Sequence, residues 1–344
     1  MTFFKHWHDY HQTFPKERES FVKTCTIGSY PKIPAGAGPS VRSAIQQFER
    51  GALGPRALHN TYHAVIRETV ALAADAALDA TTDGQIRWYD FFDPLCRDID
   101  NLQAGGLLRW FDNNFYYRHP IVTGRLQFQG GSLSAWAREA VALSPVPIIV
   151  ALPGPFTVAA LAEDQNYHNE TSLIKDLVEV LLLEAASLQD SGVYEIQWDE
   201  PALAAGLTAV APDTVQRVYD DLFGAMPLRQ SVALYWGPSS PWLRAFQGAA
   251  RVSVDVVAEP AVLHAITREA WPFDVGLGLV DARDVRLEEP QKIADTLDAV
   301  ISHAGSEHVW LHPNAGLDLL PPDRAAQKVR LLGEVKHFMQ REGE

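Results

Sequence analysis

The chain has 344 residues, 47% of them hydrophobic, enough to bury a sizeable core in one decorated domain or two small ones. Its 29 basic against 43 acidic residues give a formal charge of −14, which opposes neutralisation of a phosphate backbone and excludes nucleic acid as a general partner. Two cysteines, Cys25 and Cys96, make neither a disulfide framework nor a Cys-x-x-Cys pair, as expected of ordinary thiols in a reducing compartment.

The amino terminus, Met-Thr-Phe-Phe-Lys-His-Trp-His-Asp-Tyr-His, places charge and histidine where a signal peptide needs an apolar run, so a cytoplasmic protein is expected. Residues 1–23 read as an extension packed on the main domain. His6, His8 and His11 have chelating spacing but no preorganisation, and read as solvated. Short apolar runs then alternate with helical patterns, the arrangement of parallel β/α units. Eight runs end near Ser29, Asp83, Pro153, Asp199, Trp236, Val257, Val280 and His312, with helices expected at 58–78, 172–191, 212–225 and 290–304. His59 and His63 share a helix face, read as packing or surface. The aromatic, arginine-rich stretch 107–129 breaks the period and is expected to be an excursion after the second strand. The most apolar segment, 145–162, is interrupted by Pro147, Pro153, Gly154 and Pro155, so it predicts a buried strand and turn and no membrane helix. Eight units predict an α/β fold, a (β/α)8 TIM barrel over 1–344 as one domain, with its site at the carboxyl ends of the strands.

Six segments stand at those ends in order: Thr26-Ile27-Gly28-Ser29-Tyr30-Pro31, Thr82-Asp83-Gly84-Gln85, Leu152-Pro153-Gly154-Pro155, Gln197-Trp198-Asp199-Glu200-Pro201-Ala202-Leu203, Gly276-Leu277-Gly278-Leu279-Val280-Asp281 and Pro313-Asn314-Ala315-Gly316-Leu317. Together they cover most of the chain, and it resembles the catalytic domain of cobalamin-independent methionine synthase.

That resemblance implies a zinc ion activating a thiol, held by a His-x-Cys, a Glu and a Cys. The corresponding positions here are Ala233 and Tyr235, Asp255, and Ala315. Alanine cannot ligate and tyrosine rarely does, so zinc is not expected and no metal ligands are assigned. Asp255, Glu259, His312 and Tyr235 are weighed as a replacement metal set, against a strand-capping role for His312. The family's amino-acid pocket matches at Ile27, Gly28, Ser29 and Asp199, but its second acidic residue is Gln85, which weakens recognition of an ammonium group. Arg283 stands where full-length enzymes carry a histidine, and arginine cannot cycle as acid or base. Of the pterin contacts, Arg118 matches one arginine, whereas Leu161 and Ala205 replace an aromatic and a carboxylate. Trp88, Tyr89, Trp110, Phe115, Tyr116, Trp198 and Trp236 are the aromatics available to line a pocket for a planar ligand.

The expected function is methyl or one-carbon transfer to a small-molecule acceptor without zinc-thiolate activation. Tyr235, Asp255 and His312 are the candidate catalytic residues, with Ile27, Gly28, Ser29, Asp83, Gln85, Arg87, Arg118, Asp199 and Arg283 binding substrate. The donor is left open between a folate and a corrinoid, and so is a homo-oligomer or partner protein. A metal-independent lyase or decarboxylase, using Arg87, Arg118 and Arg283 on a carboxylated substrate, is the alternative enzyme. A non-catalytic ligand-binding or partner subunit is the third reading.

Overall fold

In the computed structural model, residues 22–33 and 40–342 are described; most of the amino-terminal extension, with His6, His8 and His11, lies outside them. The elements are β1 (Lys23–Thr24), α1 (Val41–Glu49), α2 (Pro55–Asp75), α3 (Asp93–Asp98), β2 (Ile99–Arg109), β3 (Tyr116–Phe128), α4 (Ser132–Leu143), β4 (Ile149–Pro153), α5 (Pro155–Leu161), β5 (Glu163–Asp164) and α6 (Glu170–Ser187). There follow β6 (Glu195–Asp199), α7 (Pro201–Ala204), α8 (Pro212–Gly224), β7 (Gln230–Leu234), β8 (Arg251–Asp255), α9 (Val262–Ile266), β9 (Asp274–Val280), α10 (Pro290–Ala304), β10 (Val309–Pro313) and α11 (Pro322–Glu342).

Seven strands form one parallel sheet in the order β1-β10-β9-β8-β7-β6-β4. The eighth stave is a minimal one: Ala80 bridges Cys25 and Thr81 bridges Ile148, both in parallel, which closes the curled sheet between β1 and β4. Every residue of β4, β6, β7, β8 and β10 is buried, as expected where helices cover one face and barrel contents the other. Proline opens α2, α5, α7, α8 and α10 within their first two positions, where its missing N–H costs no hydrogen bond and its fixed φ suits the first turn. No helix among the described residues is long and apolar enough to cross a membrane.

The amino-terminal end of the barrel is plugged by charge. Arg251 donates to Glu195 at 2.6 Å and lies 4.8 Å from the Trp310 ring; Arg229 joins Glu195 at 2.7 Å to Asp274 at 2.8 Å. This end of a barrel serves stability, and these ions satisfy one another without facing the opposite mouth.

The excursion starts earlier than the sequence suggests. β2 and β3 form an antiparallel hairpin from Ile99 to Phe128, with β5 added in parallel to β3. Residues 99–106 alternate less cleanly than the aromatic stretch that follows, which is why the aromatic part alone stands out. The hairpin tip reaches over the barrel mouth: Phe111 lies 5.0 Å from the Trp236 ring, and Arg283 grips Asp112 through two contacts of 3.1 and 3.0 Å.

Candidate functional site

Between that tip and the strand ends lies a cleft of about 610 Å³, including its open mouth. Its floor begins at Gly28 and Ser29, directly after the first stave. Gly28 takes φ +62, and an added Cβ would stand 3.4 Å from the Gly316 backbone, so the first and last loops meet edge to edge. Ser29 carbonyl accepts the Leu317 N–H at 2.7 Å, and a side chain on Gly316 would strike the Ser29 hydroxyl at 2.4 Å. These glycines are needed for close backbone approach at the seam.

Asp199 and Tyr235 form the centre of the floor. The Tyr235 hydroxyl donates to Asp199 Oδ2 at 3.1 Å, and Gln197 Nε2 donates to Oδ1 at 2.7 Å. Burial dominates these bonds and pushes the Asp199 carboxyl up to about 7, with neighbouring Glu200 adding to the rise. Burial also lifts the Tyr235 phenol well above its ordinary value, so it remains a donor. Glu200 itself faces away: it accepts the Phe156 and Thr157 N–H groups at 3.1 and 2.7 Å and the Tyr219 hydroxyl at 2.8 Å, fastening the start of α5.

Gln85 completes the floor in a left-handed conformation, φ 52, with its N–H held by Asp83 Oδ1 at 2.8 Å and its side-chain Nε2 buried without an acceptor. Trp236 is left-handed as well, φ 67, and an orphaned indole N–H accompanies it. Non-glycine residues held there are strained and concentrate at functional sites. Of the sequence-predicted residues, Gly28, Ser29, Gln85, Asp199 and Tyr235 line the cleft, and so do the aromatics Trp88, Tyr89, Trp110, Phe115 and Trp236. Tyr116 is instead 53% exposed, and Trp198 is core, donating to Gln230 at 3.0 Å.

The remaining predicted residues are committed elsewhere. Ile27 packs inside the barrel against Ala80, Ile149 and Trp310. Asp83 caps the tight turn into Gln85 and borders a smaller neighbouring cavity. Asp255 accepts from Trp236 N at 3.0 Å, Ala258 N at 2.8 Å and Asn314 Nδ2 at 3.0 Å, and is fully buried. His312 is buried one layer below the floor: its Nδ1 meets the Pro313 carbonyl at 2.7 Å, and burial together with Arg251 lowers it to about 3, so it stays neutral. Neither residue, both expected to be catalytic, lines the cleft.

The three arginines do not converge. Arg87 is buried against Glu139, 3.3 Å from His59 Nδ1 and 4.9 Å from the Tyr62 ring. Arg118 binds Asp90 at 2.6 Å and Asp93 at 3.3 Å, and Arg283 is latched to Asp112. Each guanidinium is paired with a protein carboxylate, and among the described residues the three share no common site.

The positions corresponding to the family's zinc ligands supply no donor set. Ala233 and Ala315 are buried without ligand atoms, the Tyr235 proton is directed at Asp199, and Asp255 is saturated by three donors. Glu259, weighed in a replacement set, accepts the Ser239 and Ser240 N–H groups at 2.6 and 3.0 Å. Among the described residues, His59, His63 and Glu139 are the one group close enough to share a cation, but the Arg87 guanidinium already occupies the same carboxylate oxygen.

Six lining residues, Lys32, Asp90, Phe91, Tyr117, Asp318 and Leu319, escaped the sequence reading, and two of them, Lys32 and Asp318, bring buried charge. Lys32 donates to the Trp88 carbonyl, and burial lowers it although Asp318, Asp93 and Asp90 oppose the shift. Asp318 is raised by burial, opposed by Ser29 and Lys32. Both follow recognised strand-end segments within three residues, and a charged residue in that position is the signal that would have found them.

The sequence model of the cobalamin-independent synthase N-terminal domain matches residues 92–305, well over half of the chain. The chain belongs to the cobalamin-independent methionine synthase family. The matching domain is the N-terminal one of the family, whereas the strand-end segments resemble its catalytic domain. Methionine synthases of this family from Sulfurisphaera tokodaii and Sulfolobus acidocaldarius are 26% and 24% identical, over 92% and 90% of this chain and 91% and 90% of their own. A B12-independent methionine synthase from Shewanella sp. W3-18-1, solved with selenomethionine, superposes with a TM-score of 0.73 at 19% identity, covering 93% of this chain and 98% of that one. A protein from Listeria monocytogenes described as a putative vitamin-B12 independent methionine synthase gives 0.69 at 15% identity, covering 91% and 96%. These two structures establish the fold, a barrel of the methionine synthase type.

Proposed function

We propose that this member of the family transfers a methyl group to a small thiol or similar nucleophile without zinc, using the Asp199–Tyr235 pair to receive the acceptor's proton. The observation that carries this reading is the Tyr235 hydroxyl on Asp199 in a cleft where the corresponding zinc positions offer no donor set. A zinc ion lowers a thiol's pKa by direct bonding to sulfur. A carboxylate can instead remove the proton as the sulfur attacks, and it does so best when its own affinity lies near the working pH. Asp199 at about 7 meets that condition against an ordinary thiol near 8.5.

Tyr235 fixes the carboxylate's orientation and leaves the outer side of the pair for the acceptor. Gly28 and Ser29 shape the floor against which the acceptor's polar end rests. The hairpin tip, closing over the mouth, keeps water from competing as nucleophile.

The test follows the methyl group of ¹³C-labelled donors, a folate and a corrinoid among them, into thiols by NMR in the presence of a chelator. The expected result is a methyl thioether formed at a rate the chelator leaves unchanged, falling about 100-fold in Tyr235→Phe. A Tyr235→Phe protein of undiminished rate removes the pair from the reaction, and no product from any donor removes methyl transfer.

A further inference from the structure

The cleft's upper part is an aromatic box. Trp110 meets Trp236 at 5.5 Å and 80°, Tyr235 meets Trp236 at 4.8 Å and 81°, and Tyr117 meets Trp110 at 5.2 Å and 73°. A flat heterocycle is best held between parallel faces, which these near-perpendicular pairs do not provide, whereas an aromatic-lined cleft also suits a compact cation. Carboxylates share the same lining: Asp90, Asp199 and Asp318, against Lys32 as the one cation among the described lining residues. Asp90 is already paired with Arg118 at 2.6 Å, whereas among the described residues no arginine contacts Asp199 or Asp318. Burial lifts both of the latter, against the opposing bonds of Gln197 and Tyr235 at Asp199 and of Ser29 and Lys32 at Asp318.

We propose that the cleft binds a compact methylated onium ion carrying a carboxylate, a sulfonium or quaternary ammonium whose cationic head sits in the Trp110–Trp236–Tyr235 box and whose carboxylate meets Lys32, and that this ligand is the methyl donor. The donor role rests on the methyl-transfer reading above. It also answers a chemical need that zinc-free transfer creates: the onium heteroatom leaves as a neutral sulfide or tertiary amine, the carboxylate keeping its charge, so the methyl carbon is already activated. The acceptor sulfur's lone pair forms the new S–C bond to the methyl carbon. The C–S or C–N bond of the onium breaks, and its electron pair stays on the departing sulfide or tertiary amine. The thiol proton passes to Asp199 and thence to solvent, so charge and atoms balance with no oxidant, reductant or metal.

Isothermal titration of the full chain with three probes tests this. Trimethylammonioacetate and dimethylsulfonioacetate carry the cation; 3,3-dimethylbutanoate has the shape and carboxylate of the first without the charge. The onium probes are expected to bind at least about tenfold more tightly than the neutral isostere. Trp110→Leu and, separately, Asp318→Asn should each lose most of that preference, the second leaving the aromatic walls intact. Equal binding of isostere and onium overturns the proposal, and so does binding of none of the three. The two readings fail separately: thiol methylation from a folate with no onium binding sinks the onium ligand and keeps methyl transfer. Onium binding with no methyl released to any thiol overturns the donor role and the transfer reading, while the ligand class stands.

Discussion

At the scale of single residues, Asp199 joins site chemistry to stability. Its carboxyl rises from 3.8 to about 7 and that of Glu200 from 4.5 to about 7, because both ionise inside the barrel wall. Between about pH 4 and 7 the native state therefore holds protons that the unfolded chain has released. Stability changes with pH as the protons bound in the unfolded state minus those bound in the native, here negative, so it falls as pH rises through that window. Asp199→Asn removes one of the two groups, and its urea-unfolding free energy should decline less steeply from pH 5 to 8 than that of the wild type. A parallel decline would mean that Asp199 ionises freely. Asp199 is legible because it stands at a strand end inside a recognisable segment, and Tyr235 because it follows the end of an apolar run. His312 and Asp255 also stand at strand ends but do not line the cleft, because strand ends alternate: one residue's side chain faces the mouth, and the next serves the turn or the layer beneath.

At the scale of elements, the β2–β3 hairpin roofs the cleft. Its tip is held by aromatic contacts with Trp236 and by the exposed Arg283–Asp112 pair, with internal bonds such as Arg109 Nε to the Asn113 carbonyl at 2.8 Å. An exposed ion pair contributes at most about 1 kcal/mol, so Arg283→Ala should hardly move the melting temperature. It should instead speed amide hydrogen exchange across 110–115, where local opening is set by the latch and not by the core. Unchanged exchange there would show that the aromatic contacts alone hold the tip down. The sequence showed an excursion but not its roofing role, because Asp112 and Arg283 lie 171 positions apart and nothing local pairs them. The partners of Arg87 and Arg118 were hidden for the same reason: an arginine looks like an anion site until the carboxylate paired with it is seen across the fold.

At the scale of the whole molecule, the eight-unit rhythm of the barrel was legible because parallel strands buried on both faces read as short apolar runs between helices. The eighth stave was legible only as a strand end near Asp83, since bridges at Ala80 and Thr81 carry almost no run of their own. The charged plug at the opposite end was not foreseen. Arg251, fully buried and bound to Glu195 and Gln197, cannot lose its charge, so Arg251→Met should strand Glu195 in the interior and destabilise the protein by about 3 kcal/mol or more in urea unfolding. A loss below 1 kcal/mol would show that Arg229 and Ser231 satisfy Glu195 by themselves.

The barrel divides into a charged, stabilising base and an aromatic, carboxylate-lined mouth, and the thiol-activating role there is the one we propose for Asp199 and Tyr235. Metal content of the purified chain, measured by inductively coupled plasma mass spectrometry, tests that directly. Zinc far below one ion per chain is expected in protein that still methylates a thiol. One zinc per chain, lost together with activity when Asp255 is replaced by alanine, would contradict it.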